Sequence, residues 1–411
     1  MDAMSTLHRR PSERGAILIQ VAVALLTFTM FSAFVIDYGM ILVSRHQVQN
    51  AADAGALAGV SALAWDDYTN RSASGAAASA ALSMTGQNAV WGSNPTASTT
   101  DVTFPVCPDS QNSPTQTPIQ ACVQVDTYRD TGHANALPNI VATLFGAPTS
   151  GVAASAMAEA KDANATDCLK PIAVPDRWAE LAPASASWVA SSTFSKWNPA
   201  NPTQLLSPHD IYTAPGWDFS GTGLTTTANF GTLVTLVPGS TAVPVSSISP
   251  WKYLAVRIPL SKNAGNVRAD VNSCAASKVA IGARLDLVAG NDPASISGGL
   301  QDVINLDPGA SWNTVTKKVD GSCADAQPRC ASMSPRIIAL AAYDVNDFAD
   351  SSRFAPGATS ILVSNIVGFF VVSVSGTNAT GRIVRHPGLI DPAAPLLSDA
   401  SSFLRASLLV Q

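Results

Sequence analysis

Apolar positions dominate the start of the chain and then settle into a helical period. From Ala16 to Ile36 there is no ionisable side chain, and a helix of that length spans roughly 30 Å, enough for a bilayer core. No proline occurs between Arg14 and Pro95, so nothing forces the helix to stop where the apolar run ends. The pattern predicts one rod from Ala16 to about Leu63, roughly 70 Å long at 1.5 Å per residue. Its second half carries Val48, Ala52, Gly55, Ala56, Gly59 and Leu63 near helical spacing, and Gly55-Ala-Leu-Ala-Gly59 is a G-x-x-x-G. Small residues four apart let another helix approach closely. Two readings fit the stripe Ala52, Gly55, Ala56 and Gly59: it receives a helix from a partner, or it lies on the chain's own domain.

After the rod, residues 65–100 are rich in Ala, Ser and Thr, and a helix of two or three turns is expected through Ala76–Met84 before a loop at Trp91–Pro95. Thr100–Val106 and Ala121–Thr127 alternate as a strand pair does. Pro138–Phe145 reads as a short helix closed by Gly146, and Gly151–Ala160 as a further strand or helix. Residues 162–250 are rich in Pro and Trp, with Trp178, Trp188, Trp197 and Trp217 within forty residues. Such residues stack on sugars when exposed, but they also cover cores with large apolar area. From Trp251 onward strand signals dominate, at Tyr253–Leu260, Ser277–Val288, Arg336–Tyr343, Thr359–Val363, Phe369–Ser375 and Gly381–Arg385. Their spacing points to a sandwich or a partly open barrel.

The expected architecture is α+β. It comprises an N-terminus over residues 1–15, a transmembrane helix over 16–43 within a rod reaching about 64, and an α+β module over 44–161. A Pro/Trp-rich, loop-rich region over 162–250 and a mainly β, sandwich-like domain over 251–411 follow.

Charge orients the rod. Arg9, Arg10 and Arg14 precede the apolar run against Asp2 and Glu13, whereas Asp37, Arg45 and Asp53 follow it. Basic residues stay cytoplasmic, so the N-terminus is expected inside and the body outside. A cleaved signal peptide is the competing reading, but its apolar region is shorter and Phe31-Ser-Ala33 before Phe34 is a poor cleavage site. The 411 residues include only 13% charged ones, with a formal charge of -5, unlike the clustered Lys and Arg of a nucleic-acid binder. All six cysteines, at positions 107, 122, 168, 274, 323 and 330, follow the apolar run, as an oxidising compartment allows. Fifteen full pairings are open. Local closeness favours Cys107 with Cys122 and Cys323 with Cys330, leaving Cys168 with Cys274; scattered buried thiols are the alternative. With no C-x2-C pair and no two histidines close together, a metal site is not expected.

The tract Arg14-Gly-Ala-Ile-Leu-Ile-Gln20, the apolar run, Asp37-Tyr-Gly39 and Gln49-Asn-Ala-Ala-Asp-Ala-Gly-Ala-Leu-Ala-Gly59 together resemble the N-terminus of TadG-like proteins of tight-adherence (Flp) pilus assembly. Cys168-Leu-Lys-Pro171, Pro175-Asp-Arg-Trp178 and the order of strand, Leu144-Phe-Gly146 and Ala158-Glu-Ala160 extend the resemblance into the body. So do Gly298-Gly-Leu-Gln-Asp302, Ser334-Pro-Arg-Ile337 and Gly368-Phe-Phe370.

The resemblance implies a non-enzymatic, single-pass component of the bacterial inner membrane, with a periplasmic body that binds other Tad assembly proteins or pilin-like subunits and self-associates as a further option. Pilin-like relatives are cut after a glycine and carry Glu at the fifth mature position. Here the counterparts are Gly15 and Gln20, and an amide cannot form the ion pair a carboxylate makes, so a retained anchor is expected. Many TadG proteins carry a von Willebrand A metal site beginning D-x-S-x-S. The nearest stretch here, Asp320-Gly-Ser-Cys-Ala324, lacks the second Ser, and no such site is expected.

No nucleophile elbow, H-E-x-x-H or phosphate loop is present in the sequence. His209-Asp210 reads as a turn after Pro208, and Asp66-Asp67 and Asp344 with Asp347 as solvated or capping carboxylates. The expectation is therefore no catalysis and no cofactor. A surface adhesin or polysaccharide-binding protein is the alternative function.

Overall fold

The computed structural model describes residues 12–65, 71–107, 122–181, 187–218, 220–240, 248–322, 333–354 and 357–410. A single helix, α1, runs unbroken from Ser12 to Trp65 over 54 residues. Its two halves differ in environment. Along Ile17–Phe31 the apolar side chains stand free, with Leu18 74% and Phe28 71% exposed. Burial begins at Ala33 and continues through Asp37, Met40, Ser44, Val48, Ala52, Ala56, Val60 and Leu63. Those steps of three and four are one helix face.

Helix α2 (Ala76–Gln87) folds back along that face instead of prolonging the rod. The direction is antiparallel: Gly59 faces Ala77 and Ala81, while Gly55 faces Ala81 and Thr85. A Cβ on Gly59 would also press on Val123 of the adjoining sheet at 2.9 Å. Glycine here lets a helix and a sheet close on the same stretch of α1.

That sheet has five strands, in the order Val102–Thr103 (β1), Cys122–Arg129 (β2), Val152–Asp162, Leu404–Val410, His386–Pro387. Alternation in β2 sends Val123 and Val125 inward, where they join Ala52, Ala56, Val60, Leu63, Ala77, Ala81, Ala156 and Ala158 in one core. The C-terminal strand Leu404–Val410 joins this sheet, while its Leu404 and Ala406 also pack in a core cluster with Leu169, Ala173 and Ile366 of the β-rich part. It pairs antiparallel with Val152–Asp162, from Arg405 opposite Asp162 to Val410 opposite Met157.

The remaining large sheet closes on itself. Ser360–Ser375, Ile337–Tyr343, Leu169–Pro175, Lys252–Ala255, Leu233–Pro238 and Asn378–Val384 pair in that order, and the last pairs again with the first. Arg284–Asp286 joins the far end of the long strand. Of the two expected arrangements, a sandwich or a partly open barrel, the structure is a barrel: six strands close into a ring, and Arg284–Asp286 is a short added edge. Two of its strands, Leu169–Pro175 and Leu233–Pro238, come from the region expected to be loop-rich.

Period-two alternation divides its side chains. Ile172, Val174, Leu236, Tyr253, Ile338, Leu340, Val367, Phe369 and Ile383 form one cluster, whereas Leu169, Ala173, Leu254, Ala339, Ala341 and Ile366 belong to another. The first cluster is completed by Ile296, Leu300 and Val303 of the helix Pro293–Leu306. Gly299 of that helix lies so near Val271 that a Cβ would sit 2.6 Å from the valine Cβ, which accounts for glycine at position 299.

Candidate functional site: the rod, its clasp and the sequence motifs

The rod is long and apolar enough to cross a membrane. Over Ile17–Val43 it presents apolar residues on every face not covered by the chain itself, including Phe34, Val35, Ile36, Leu42 and Val43. Phe34 and Tyr38 stack with ring centroids 5.4 Å apart. Arg45 is the next ionisable residue after Asp37 and Tyr38, and it is exposed.

Asp37 would be expensive inside such a belt if it lacked hydrogen-bond donors. It is 5% exposed, and its carboxylate accepts the backbone N–H groups of Ile140 (2.8 Å), Val141 (3.2 Å) and Ala142 (2.6 Å). These three amides open the 3-10 turn Ala142–Phe145, whose far end is closed by Gly146 at φ 84°. The turn is braced from within: Thr143 donates to the Asn139 carbonyl, the Asn139 amide donates to the Ala147 carbonyl, and Ser150 donates to the Asn139 side chain. A residue of the apolar helix thereby clasps a turn more than a hundred positions away.

The small-residue stripe is occupied by the chain's own parts. Ala52, Gly55, Ala56 and Gly59 all face inward, against α2 and the five-stranded sheet. The reading in which these residues receive a partner helix is corrected on that ground. A different face of α1, with Ala54, Leu57, Ala58 and Ala62, borders a groove of about 610 Å³ whose other wall includes Phe230, Trp312, Val319 and Arg385. Gly15 and Gln20 both lie exposed in the first turns of α1.

Two cysteine pairs stand at disulfide distance, Cys107 with Cys122 at a Cα separation of 5.3 Å and Cys168 with Cys274 at 4.5 Å. Cys323 and Cys330 fall outside the described residues, as does Asp66-Asp67.

The motif residues of the body serve the fold. Asp176 of Pro175-Asp-Arg-Trp178 is buried and accepts from Leu224 N (2.7 Å), Arg177 N (2.9 Å), Tyr212 Oη (3.0 Å) and Ser364 Oγ (3.0 Å). Burial nevertheless pushes its carboxyl above the usual range. Trp178 is 1% exposed and meets Trp188 and Phe194 edge-on, and Trp188 meets Trp251 in the same way. Of the four clustered tryptophans, Trp217 stands out in solvent at 58% exposure, while Trp197 is half-buried and donates to Asp350.

Asp210 accepts the amides of Leu181 and Ser195, each at 2.7 Å, while His209 contacts the Leu206 carbonyl. Asp344 caps the helix Val345–Ser352 by accepting from Asp347 N, and Asp347 pairs with Arg284. Asp320 accepts from the Asn313 amide. Sequence reasoning missed the partners of Asp37, whose only local signal is an acid within an apolar run.

No curated protein and no solved structure matches the chain. A family model does match it, over the segment that contains both halves of the rod, the stripe and Asp37. Residues 15–62 match the family described as "Putative Flp pilus-assembly TadE/G-like", so the rod is similar to a TadE/G-like segment.

Proposed function

We propose that this chain is a non-enzymatic, single-pass membrane component of the Flp (tight-adherence) pilus assembly machine. Its short N-terminus lies in the cytoplasm, α1 crosses the inner membrane, and the five-stranded module and the barrel project into the periplasm to bind pilus or secretion-machine partners. One observation carries the reading. The matched segment 15–62 is a rod whose first half is bare and apolar and whose second half is locked into the chain's own module. That is how an anchored stalk is built: lipid takes the bare half, and the folded half holds the body at a fixed height above it.

The Arg9, Arg10 and Arg14 cluster ahead of the span supports the orientation, and the cysteine pairs in the body fit an oxidising compartment. The adhesin alternative has less support, because most of the clustered tryptophans are packed inside the body.

A periplasm-active reporter fused after Ala64 should be active, and a cytoplasm-only reporter active at that junction would overturn the orientation. Deleting the gene should abolish pili, with restoration by the full chain. Normal pili in the deletion strain would remove the assembly role.

A further inference from the structure

The pilus-assembly reading leaves one surface unused, the outward side of the turn that Asp37 clasps. Ile140 is 58%, Leu144 77% and Phe145 44% exposed, although the backbone beneath them is fully braced. A rigid turn has little reason to display three large apolar side chains to water. No ionisable residue occurs from Ala134 to Ala158, so nothing charged in this stretch resists an apolar surrounding. The clasp also fixes the height of the turn. It lies level with Asp37, where α1 still shows Phe34, Val35, Ile36, Tyr38, Leu42 and Val43 on its open faces. The exposed apolar surface of the turn is therefore continuous with the apolar belt of the rod.

We propose that the turn Ile140–Phe145 is a membrane-dipping tip. Ile140, Leu144 and Phe145 enter the boundary between headgroups and acyl chains of the leaflet from which α1 emerges, and Asp37 sets their depth. The occupant of this surface is the bilayer itself, and the inference rests on the reading that α1 spans a membrane. Its logic is mutual. A carboxylate near the bilayer needs donors that travel with it, and the turn supplies three backbone N–H groups. In return the carboxylate satisfies amides that would otherwise be unpaired at the lipid boundary. A second point of insertion beside the helix restrains the tilt of the rod and so steadies the body above it.

The test uses the full chain reconstituted in phosphatidylcholine and phosphatidylglycerol vesicles. Phe145→Trp and, separately, Ile140→Trp add a reporter, and the emission of the parent is subtracted. Leu26→Trp, in the middle of the bare half, serves as the control for spanning. Lipids brominated near the glycerol end of the acyl chain should reduce the emission of either tip tryptophan at least about twofold, and lipids brominated near the methyl end should quench it less. Leu26→Trp should show the reverse order. If Leu26→Trp is quenched and neither tip variant is, the tip does not enter the bilayer and the proposal fails while the spanning helix stands. If Leu26→Trp is itself unquenched, the membrane reading fails first. Adding Asp37→Ala to Phe145→Trp should remove at least half of the tip quenching, with Asp37→Asn intermediate because it keeps one acceptor oxygen. Unchanged quenching in Asp37→Ala would overturn the clasp as the determinant of depth.

Discussion

Gly55 offers the sharpest quantitative probe of how the rod is held. A Cβ at this position would collide with the Thr85 hydroxyl and stand 3.2 Å from the Ala81 carbonyl oxygen. The Thr85 hydroxyl is buried and has no hydrogen-bond partner. Gly55→Ala therefore combines two opposed effects: a gain of about 1 kcal/mol in helix propensity and an overpacking cost of about 1–3 kcal/mol. The net expectation is destabilisation by about 1 kcal/mol. Thr85→Ala alone removes an unsatisfied buried hydroxyl, a relief of roughly 1–3 kcal/mol, but also a buried methyl, a loss of about 1 kcal/mol. It should be neutral to mildly stabilising. In the double variant the methyl introduced at position 55 occupies space vacated by the threonine, so the propensity gain is kept without the collision. The two changes should couple favourably by about 1–3 kcal/mol, leaving the double variant at least as stable as the parent. Thermal unfolding of the detergent-solubilised chain, followed by far-ultraviolet circular dichroism across the four members of the cycle, reads this directly. Additive effects within about 0.5 kcal/mol would mean that α2 does not sit on Gly55 and that the intramolecular packing of the stripe is wrong.

Further expectations concern charge and covalent links. Burial holds the His386 imidazole down to about 4, well below its ordinary value of 6.5, so between those values the unfolded chain binds a proton that the folded chain does not. Stability should therefore be fully present above about pH 6.5 and fall by about 3 kcal/mol on acidification toward pH 4. Urea unfolding across that range checks it, and His386→Gln should flatten the slope. Replacing Cys168 and Cys274 by Ser together should cost more stability than replacing Cys107 and Cys122. The pairs are separated by 106 and 15 residues, which correspond to about 5 and 3 kcal/mol of loop entropy. Equal shifts in melting temperature would remove loop entropy as the reason.

The rod is legible in the sequence because its cause is local: a long apolar run without proline, followed by small residues at helical spacing. The pairing of β1 with β2 is nearly as local, as is the turn closed by Gly146. A barrel was one of the two arrangements that the strand spacing allows, but its closure was not legible, because it depends on Asn378–Val384 meeting Leu233–Pro238 across some 140 positions, and no pattern in either strand names the other. The long strand Ser360–Ser375 reads as two because polar Ser364 and Asn365 interrupt its apolar run. Both are buried and satisfied, Ser364 donating to Asp176 and Asn365 to the Ser401 carbonyl. The helix Pro293–Leu306 is not among the elements expected from the sequence: Gly298-Gly299 weakens its helical signal, and the approach of Val271 that calls for Gly299 is tertiary. Asp37 shows the same limit. Its acid is visible in the sequence, but its donors are chosen by tertiary contact.

The last strand touches both the rod and the barrel. Leu404–Val410 lies in the sheet that rests on α1, and it follows directly from a segment tied to the barrel through Asn365 and the Ser401 carbonyl. Ser61 of α1 meets Ser407 at 3.1 Å, and Arg385 donates to the Ala64 carbonyl near the end of the helix. Within the strand, Arg405 is buried between Asp162 and Asp399. Cutting the chain after Phe403 would leave two carboxylates without that partner and expose a row of unpaired backbone groups along Val152–Asp162. Removing one member of a buried ion pair typically costs about 3–5 kcal/mol, so the five-stranded module should open while the barrel, whose ring closes before His386, stays folded. Limited proteolysis of the truncated protein should then cut between residues 122 and 162 at least tenfold faster than in the full chain, with the barrel resistant. Equal protection of both regions would show that the sheet holds the rod without its final strand. In that outcome the coupling of α1 to the sheet belongs to the core that Ala52, Ala56, Val60 and Leu63 share with Ala77, Ala81, Val123 and Val125, and not to the last strand.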